Sequence, residues 1–231
     1  MEVKVLYDDF GSATAHLSSL LTPAQDGFAP PSDMRKYLRS GSKVKVRLSL
    51  NPWLVADHTK LIVFDSRTAI LGGMNIGREY YSEWHDLMVR VEGPVVASLE
   101  EEFMRSWRQC GPWGDFGMLA RARKFSPTAR REDDIPIRIL KPESGHARHE
   151  IRDASLLAIR GAKNRIYIEN PYFASDDIIF ALRSALRKGV DVRVILPAEG
   201  DSAIMDAGNI ATARALMEEG AKLYRYPKMA I

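Results

Sequence analysis

Cysteine is nearly missing from this 231-residue chain: Cys110 stands alone, which excludes an internal disulfide framework and any metal site built on paired thiolates. Excess charge of one sign is missing too. Lys and Arg number 33 against 30 Asp and Glu, a formal net charge of +3, so no global basic field favours nucleic acid and any anion binding is local. Long apolar runs are absent, none approaching the roughly 20 residues that a membrane-spanning helix needs. Met1-Glu2-Val3-Lys4 opens into a strand rather than a signal peptide, so a soluble or peripheral chain in a reducing cytoplasm is expected. What is present is ample apolar content, 45% of residues, enough for one large or two small cores.

The punctuation is that of an α/β chain. Val3 to Tyr7 alternates as a strand does, and Asp8-Asp9-Phe10-Gly11-Ser12 forms a turn that can start a helix. Met34, Tyr37 and Leu38 mark a short helix that Gly41 can end, before a strand from Lys43 to Leu48. Short strands are expected at Leu61–Asp65, Ala69–Leu71 and Leu87–Val91, then an amphipathic helix opened by Gly93-Pro94 and running to Gln109. Residues 111–134 change character, with early Gly and Pro and then Arg121, Arg123, Lys124, Arg130 and Arg131; this reads as a basic linker. It is most simply solvated; beside Trp113 and Phe116, contact with an anionic bilayer is the alternative.

The rhythm then resumes with a strand at Ile135–Leu140, a helix from Glu150 to Lys163 and a strand at Arg165–Ile168. Asn170-Pro171-Tyr172-Phe173 follows, and a helix capped by Ser175 or Asp176 ends at Gly189. Val192-Arg193-Val194-Ile195 repeats Val3-Lys4-Val5-Leu6, and Gly220-Ala221-Lys222-Leu223 repeats Gly41-Ser42-Lys43-Val44, which suggests an internal duplication. The expected organisation is a first half over residues 1–110, the linker at 111–134 and a second half over 135–231. An opening strand of interior character also suggests a missing upstream piece.

One stretch carries chemistry: Asp57-His58-Thr59-Lys60-Leu61-Ile62-Val63-Phe64-Asp65-Ser66-Arg67-Thr68-Ala69-Ile70-Leu71-Gly72-Gly73-Met74-Asn75. On a strand His58 and Lys60 project to one side, so imidazole and ammonium can converge on an anion. Asp65-Ser66-Arg67-Thr68 makes a tight turn; at Gly72-Gly73 the absent side chains let backbone approach a phosphate, and the Asn75 amide can donate. Average residue frequencies put chance occurrence of the pattern on the order of one in a hundred thousand or less.

The pattern resembles the signature of the phospholipase D superfamily. Asn75-Ile76-Gly77-Arg78-Glu79-Tyr80, Trp84-His85-Asp86, Val89-Arg90-Val91-Glu92-Gly93-Pro94, Phe103 and Trp107, Asn170-Pro171-Tyr172-Phe173 and Arg187-Lys188-Gly189-Val190-Asp191-Val192-Arg193 look like its bacterial cardiolipin synthase branch. The resemblance implies a phospholipase D-like fold of duplicated mixed-sheet α/β halves with flanking helices, the second half incomplete. It implies that His58 attacks phosphorus to form a phosphohistidine while a second histidine protonates the leaving alcohol, with no metal and no cofactor. Lys60, Asn75 and Gly73 are then the phosphate-binding residues, and Asp86 the acid that orients His58. Asp65 and Gly72 belong to the signature, with Asp65 holding the turn.

The implied function is a phosphatidyltransferase acting on phosphatidylglycerol at a cytoplasmic membrane surface, with a phospholipase D hydrolase or a nuclease as alternatives. Near-neutral charge disfavours nucleic acid. A second His-x-Lys is due where Tyr226-Pro227-Lys228-Met229-Ala230-Ile231 closes the chain, so a truncated chain with weak or no activity is expected, its His-x-Lys beginning just past Ile231. A homodimer pairing two copies of His58 is the other arrangement. His146 and His149 flank a helix start without a Cys or Asp cluster and are not read as metal ligands; His16 and His85 are read as surface or packing residues.

Overall fold

A computed structural model describes residues 2–8, 31, 33–49, 58–76, 80, 84–110, 133–143, 148–200 and 203–227. The expected helix after Ser12, the basic run from Arg121 to Arg131, Trp113, Phe116, His16 and His146 lie outside the described residues. The chain divides into two compact units, Met1–Gly72 with Val89–Asp134, and Gly73–Met88 with Ile135–Ile231. Residues 73–88, which the sequence reading gives to the first half, therefore pack with the second.

In the first unit β1 (Lys4–Asp8) pairs in parallel with β2 (Lys45–Ser49), the short helix α1 (Met34–Arg39) coming between them in the chain. Asp33 caps α1, its side chain accepting the Lys36 N–H at 2.8 Å. A second sheet has the order β3 (Lys60–Phe64), β4 (Thr68–Gly72), β5 (Met88–Glu92). Helix α2 (Val95–Gln109) packs on β3 and β4. Val96, Leu99, Phe103 and Trp107 recur at three- and four-residue spacing, which gathers them on one side of the helix, and Val96, Leu99 and Trp107 are buried. The Arg47 guanidinium lies 4.5 Å from the centre of the Trp107 ring and donates to the Trp107 carbonyl, tying β2 to the end of α2.

In the second unit no strand forms over residues 135–140, where one was expected. Residues 135–140 join no ladder, and Ile135 and Ile137 are exposed. Pro136 explains the difference: it interrupts the alternating isoleucines and brings no N–H to pair. A two-residue ladder of β6 (Pro142–Glu143) and β7 (Arg148–His149) precedes α3 (Glu150–Gly161). Then come β8 (Arg165–Glu169), α4 (Asp176–Arg187), β9 (Asp191–Pro197), α5 (Ala203–Glu218) and β10 (Lys222–Tyr226). The three strands form a parallel sheet in the order β10-β9-β8.

Strand periodicity sends Val192, Val194 and Leu196 of β9 into the core, where they meet Leu156 and Ile159 of α3, Ala181, Leu182 and Ala185 of α4, and Leu216 of α5. On the opposite face Asp191 accepts from Arg193 at 2.9 Å and Lys222 at 3.0 Å. These bonds, that to Arg193 foremost, hold its carboxyl below the ordinary range.

Both repeated segments of the sequence prove to be parallel strand pairs separated by a helix, with Gly41 and Gly220 at φ +64° and +96° just past the helix ends. Glycine suits a left-handed residue there, and at the end of α5 Gly220 N–H reaches Met217 O (2.9 Å) and Ala221 N–H reaches Leu216 O (3.0 Å). The two pairings differ in register. Lys4 opposes Lys45, whereas its counterpart Arg193 opposes Lys222, two residues short of the strict repeat position Tyr224. A slip of two leaves every side chain on its own face.

Leu216→Ala empties a fully buried position and is expected to destabilise the second unit by about 2–5 kcal/mol. Ile204→Ala, on the exposed side of α5, should stay within about 0.5 kcal/mol. Urea unfolding monitored in that unit checks both; equal effects would contradict the core described.

Candidate active site

The spacing of the signature is hairpin arithmetic. In the antiparallel pair β3–β4 the partners are Lys60↔Gly72, Leu61↔Leu71, Ile62↔Ile70, Val63↔Ala69 and Phe64↔Thr68, so Gly72 stands directly across from Lys60. Asp65 and Ser66 make the turn at φ 49° and 56°, and Arg67 N–H donates to Phe64 O at 3.0 Å. An aspartate tolerates this left-handed conformation better than most residues, which gives Asp65 a local reason to be there.

His58 lies two residues before β3 and is exposed. Lys60 Nζ is 3.3 Å from His58 Nδ1 and donates to the His58 carbonyl oxygen at 2.8 Å. An ammonium only donates, so in this contact Nδ1 is the acceptor and the proton of a neutral imidazole sits on Nε2. That tautomer is not ready to attack through Nε2. An anion that draws Lys60 away would leave Nδ1 able to carry the proton and Nε2 with a free lone pair.

Gly73 has a role that spacing did not reveal. A methyl group at this position would overlap the Asp86 carboxylate, so its glycine makes room for that side chain. Its N–H donates to Leu87 O at 3.2 Å. Asp86 Oδ1 accepts the Leu87 N–H at 2.6 Å, while Oδ2 is buried with no partner among the described residues. A buried carboxylate oxygen without a donor is costly, which makes Oδ2 a spare acceptor held in place. The Asn75 amide donates to the Tyr80 hydroxyl at 2.7 Å, and Tyr80 meets Trp84 edge-on with ring centres 4.7 Å apart. Of the residues singled out from sequence, His58, Lys60, Asp65 and Gly72 belong to the first unit, and Gly73, Asn75 and Asp86 to the second.

Two residues carry more than the sequence indicated. His85 Nε2 sits 3.0 Å from Glu169 Oε1 at the end of β8, and its ring stacks on Tyr226 at the end of β10 with centres 4.5 Å apart. Asn209, 4% exposed, accepts the Phe173 N–H through Oδ1 and donates to the Pro171 carbonyl through Nδ2, both at 2.7 Å. It pins the loop after β8, where Asn170 Oδ1 also accepts the Tyr172 N–H at 3.0 Å. A lone amide within the apolar run of α5 was its one signal; His85 had none, because its partners are distant in sequence.

Comparison with known proteins gives this geometry a context. The family described as "Cardiolipin synthase, PLD-like domain" matches residues 2–107 and 156–231. A cardiolipin synthase of Listeria monocytogenes serotype 4a is 29% identical over 233 residues, 98% of this chain and 46% of the relative. Cardiolipin synthase A of Pseudomonas fluorescens is 31% identical over 242 residues, 97% of this chain and 45% of the relative. Among solved structures, the phospholipase D family member NUC from Salmonella typhimurium is 29% identical, with a TM-score of 0.30, over 33% of this chain and 48% of that one. The chain spans less than half the length of the curated relatives it matches. With most of its residues matched and the signature hairpin formed, this chain belongs to the family of cardiolipin synthase phospholipase D-like domains.

Proposed function

We propose that this chain supplies the nucleophile of a phosphatidyltransferase that joins phospholipids at a membrane surface. His58 Nε2 attacks the phosphorus of a phosphatidylglycerol; the P–N bond forms as the P–O bond to the leaving glycerol breaks, and that oxygen takes a proton from an acid. The family resemblance gives the acid role to a second histidine. The glycerol hydroxyl of a second phosphatidylglycerol then attacks phosphorus, the P–N bond breaks, and the hydroxyl proton passes to the base left by the first step. Water as acceptor turns the same chemistry into hydrolysis, and exclusion of water from the pocket decides between them.

The observation that supports this reading most directly is the 3.3 Å contact of Lys60 with His58, set on a hairpin whose register aligns Lys60 with Gly72. A cation there stabilises negative charge building on the non-bridging phosphoryl oxygens, as does the Asn75 amide when a phosphate competes for it. The family resemblance gives Asp86 the role of the acid that orients the nucleophilic imidazole. Asp65 and Gly72 maintain the hairpin, and Gly73 makes room for Asp86. The halves at 1–110 and 135–231, joined through 111–134, descend in this reading from one duplicated unit, which the matching strand, helix, glycine and strand of each favours. Association with anionic lipid through the basic run at 121–131, and pairing of two copies, belong to the same proposal. Among the described residues no helix is long and apolar enough to cross a membrane.

Incubation with phosphatidylglycerol liposomes, and separately with plasmid DNA, tests the function. With the second, acid-bearing histidine supplied, cardiolipin and glycerol are expected from the parent and not from His58→Ala, and weak or no product from residues 1–231 alone; equal product from parent and variant removes His58 from the mechanism, and nicked DNA without lipid product replaces the substrate class. Lys60→Met is expected to lower kcat by about 100- to 1,000-fold, the usual loss for a preorganised charge-stabilising group; a loss below tenfold would mean that Lys60 does not face the reacting phosphate. Gly73→Ala, by displacing the Asp86 carboxylate, should lower kcat about as much as Asp86→Asn does. Normal kcat in Gly73→Ala would show that the contact between residues 73 and 86 has no bearing on turnover.

A further inference from the structure

His85 is adjacent to Asp86 in sequence and takes no part in the chemistry just described, yet contacts to two strands hold it. Its Nε2 lies 3.0 Å from Glu169 Oε1, and because an ionised carboxylate only accepts, Nε2 carries the hydrogen. The ring also stacks on Tyr226, centres 4.5 Å apart and planes 29° from parallel. Glu169 closes β8 and Tyr226 closes β10, so one imidazole grips the ends of both strands that flank β9. On the other side of the segment Gly73 N–H holds Leu87 O at 3.2 Å and Leu87 N–H holds Asp86 Oδ1 at 2.6 Å.

We propose that His85 is a positioning residue: through Glu169 and Tyr226 it fixes the segment that presents the Asp86 carboxylate, and so sets where Oδ2 stands. All of these residues belong to the second unit. The inference rests on the reading of Asp86 as the acid that orients the nucleophilic imidazole, and it adds what keeps Asp86 in place. Among the described residues, the groups that face the imidazole are the Glu169 carboxylate from β8 and the Tyr226 ring from β10; the neighbouring Asp86 carboxylate is turned toward Gly73. A planar donor that also stacks on an aromatic ring can replace histidine here, which arginine does and leucine does not.

The test uses the whole chain with two readouts, one independent of turnover. In NMR spectra, His85→Leu and Glu169→Leu should shift the Gly73 amide and the Asp86 carboxyl carbon, leave Val194 in the core of β9 unmoved, and be largely restored in His85→Arg. Unmoved Gly73 and Asp86 signals in a folded His85→Leu would overturn the proposal, and an unfolded leucine variant leaves the comparison to Glu169→Gln and His85→Arg.

In turnover, His85→Leu should lower kcat by roughly 10- to 100-fold with KM within about threefold, the size of effect that an ångström of misplacement produces. In an Asp86→Asn background the same change should cost less than about twofold, because His85 acts through Asp86. Losses that multiply instead would make His85 an independent contributor and refute the assignment. No turnover even with the second, acid-bearing histidine supplied, but with the NMR shifts as expected, would uphold the placement of Asp86 by His85 and reject the phosphatidyltransferase reading alone.

Discussion

The register of one hairpin governs everything proposed for this chain. Five consecutive pairings between β3 and β4 set Gly72 across from Lys60, and the turn at Asp65-Ser66 fixes that register by taking two left-handed residues. A slip of one residue would move Lys60 off Gly72 and send it, with His58, to the opposite face, because side chains alternate strictly along a strand. The counts in the signature, four residues from lysine to aspartate and six more to the glycine pair, are therefore the lengths of two strands and their turn. Chemistry and folding are specified by the same residues.

The second constraint is steric. Two carboxylate oxygens occupy the space where a side chain at residue 73 would be, and one of them is buried with no donor among the described residues. Such an arrangement carries a folding cost, which a structure retains when the free acceptor has a use. It gives the glycine pair two distinct jobs: Gly72 faces Lys60 within the hairpin, and Gly73 accommodates Asp86.

Much of this was legible in the sequence, for identifiable reasons. The hairpin announced itself through fixed spacing, and α2 through Val96, Leu99, Phe103 and Trp107 on one face. The phospholipase D-like α/β class followed from strands punctuated by helices and from the resemblance that the family match upholds. The failures have causes as definite. Residues 135–140 carry a strand's alternation, but Pro136 withholds the donor that a ladder requires. Gly73 was read as a phosphate approach alone, because sequence cannot show that the Asp86 carboxylate lies against the same position. His85, read as a surface or packing residue, is both, half exposed and stacked on Tyr226, though which partners hold it only tertiary folding shows. Asn209 sits in an apolar helix as a lone amide, a hint that it is satisfied, though not by what.

The central claim is that phosphorus rides on one imidazole. It is tested most directly by quenching the chain with alkali during turnover of phosphatidylglycerol and locating covalent phosphorus by peptide mass spectrometry. Acid-labile phosphorus on the peptide that contains His58, appearing and decaying at the rate of product formation, is the expected result. Product formed with no covalent phosphorus, or with phosphorus on any other residue, would contradict it.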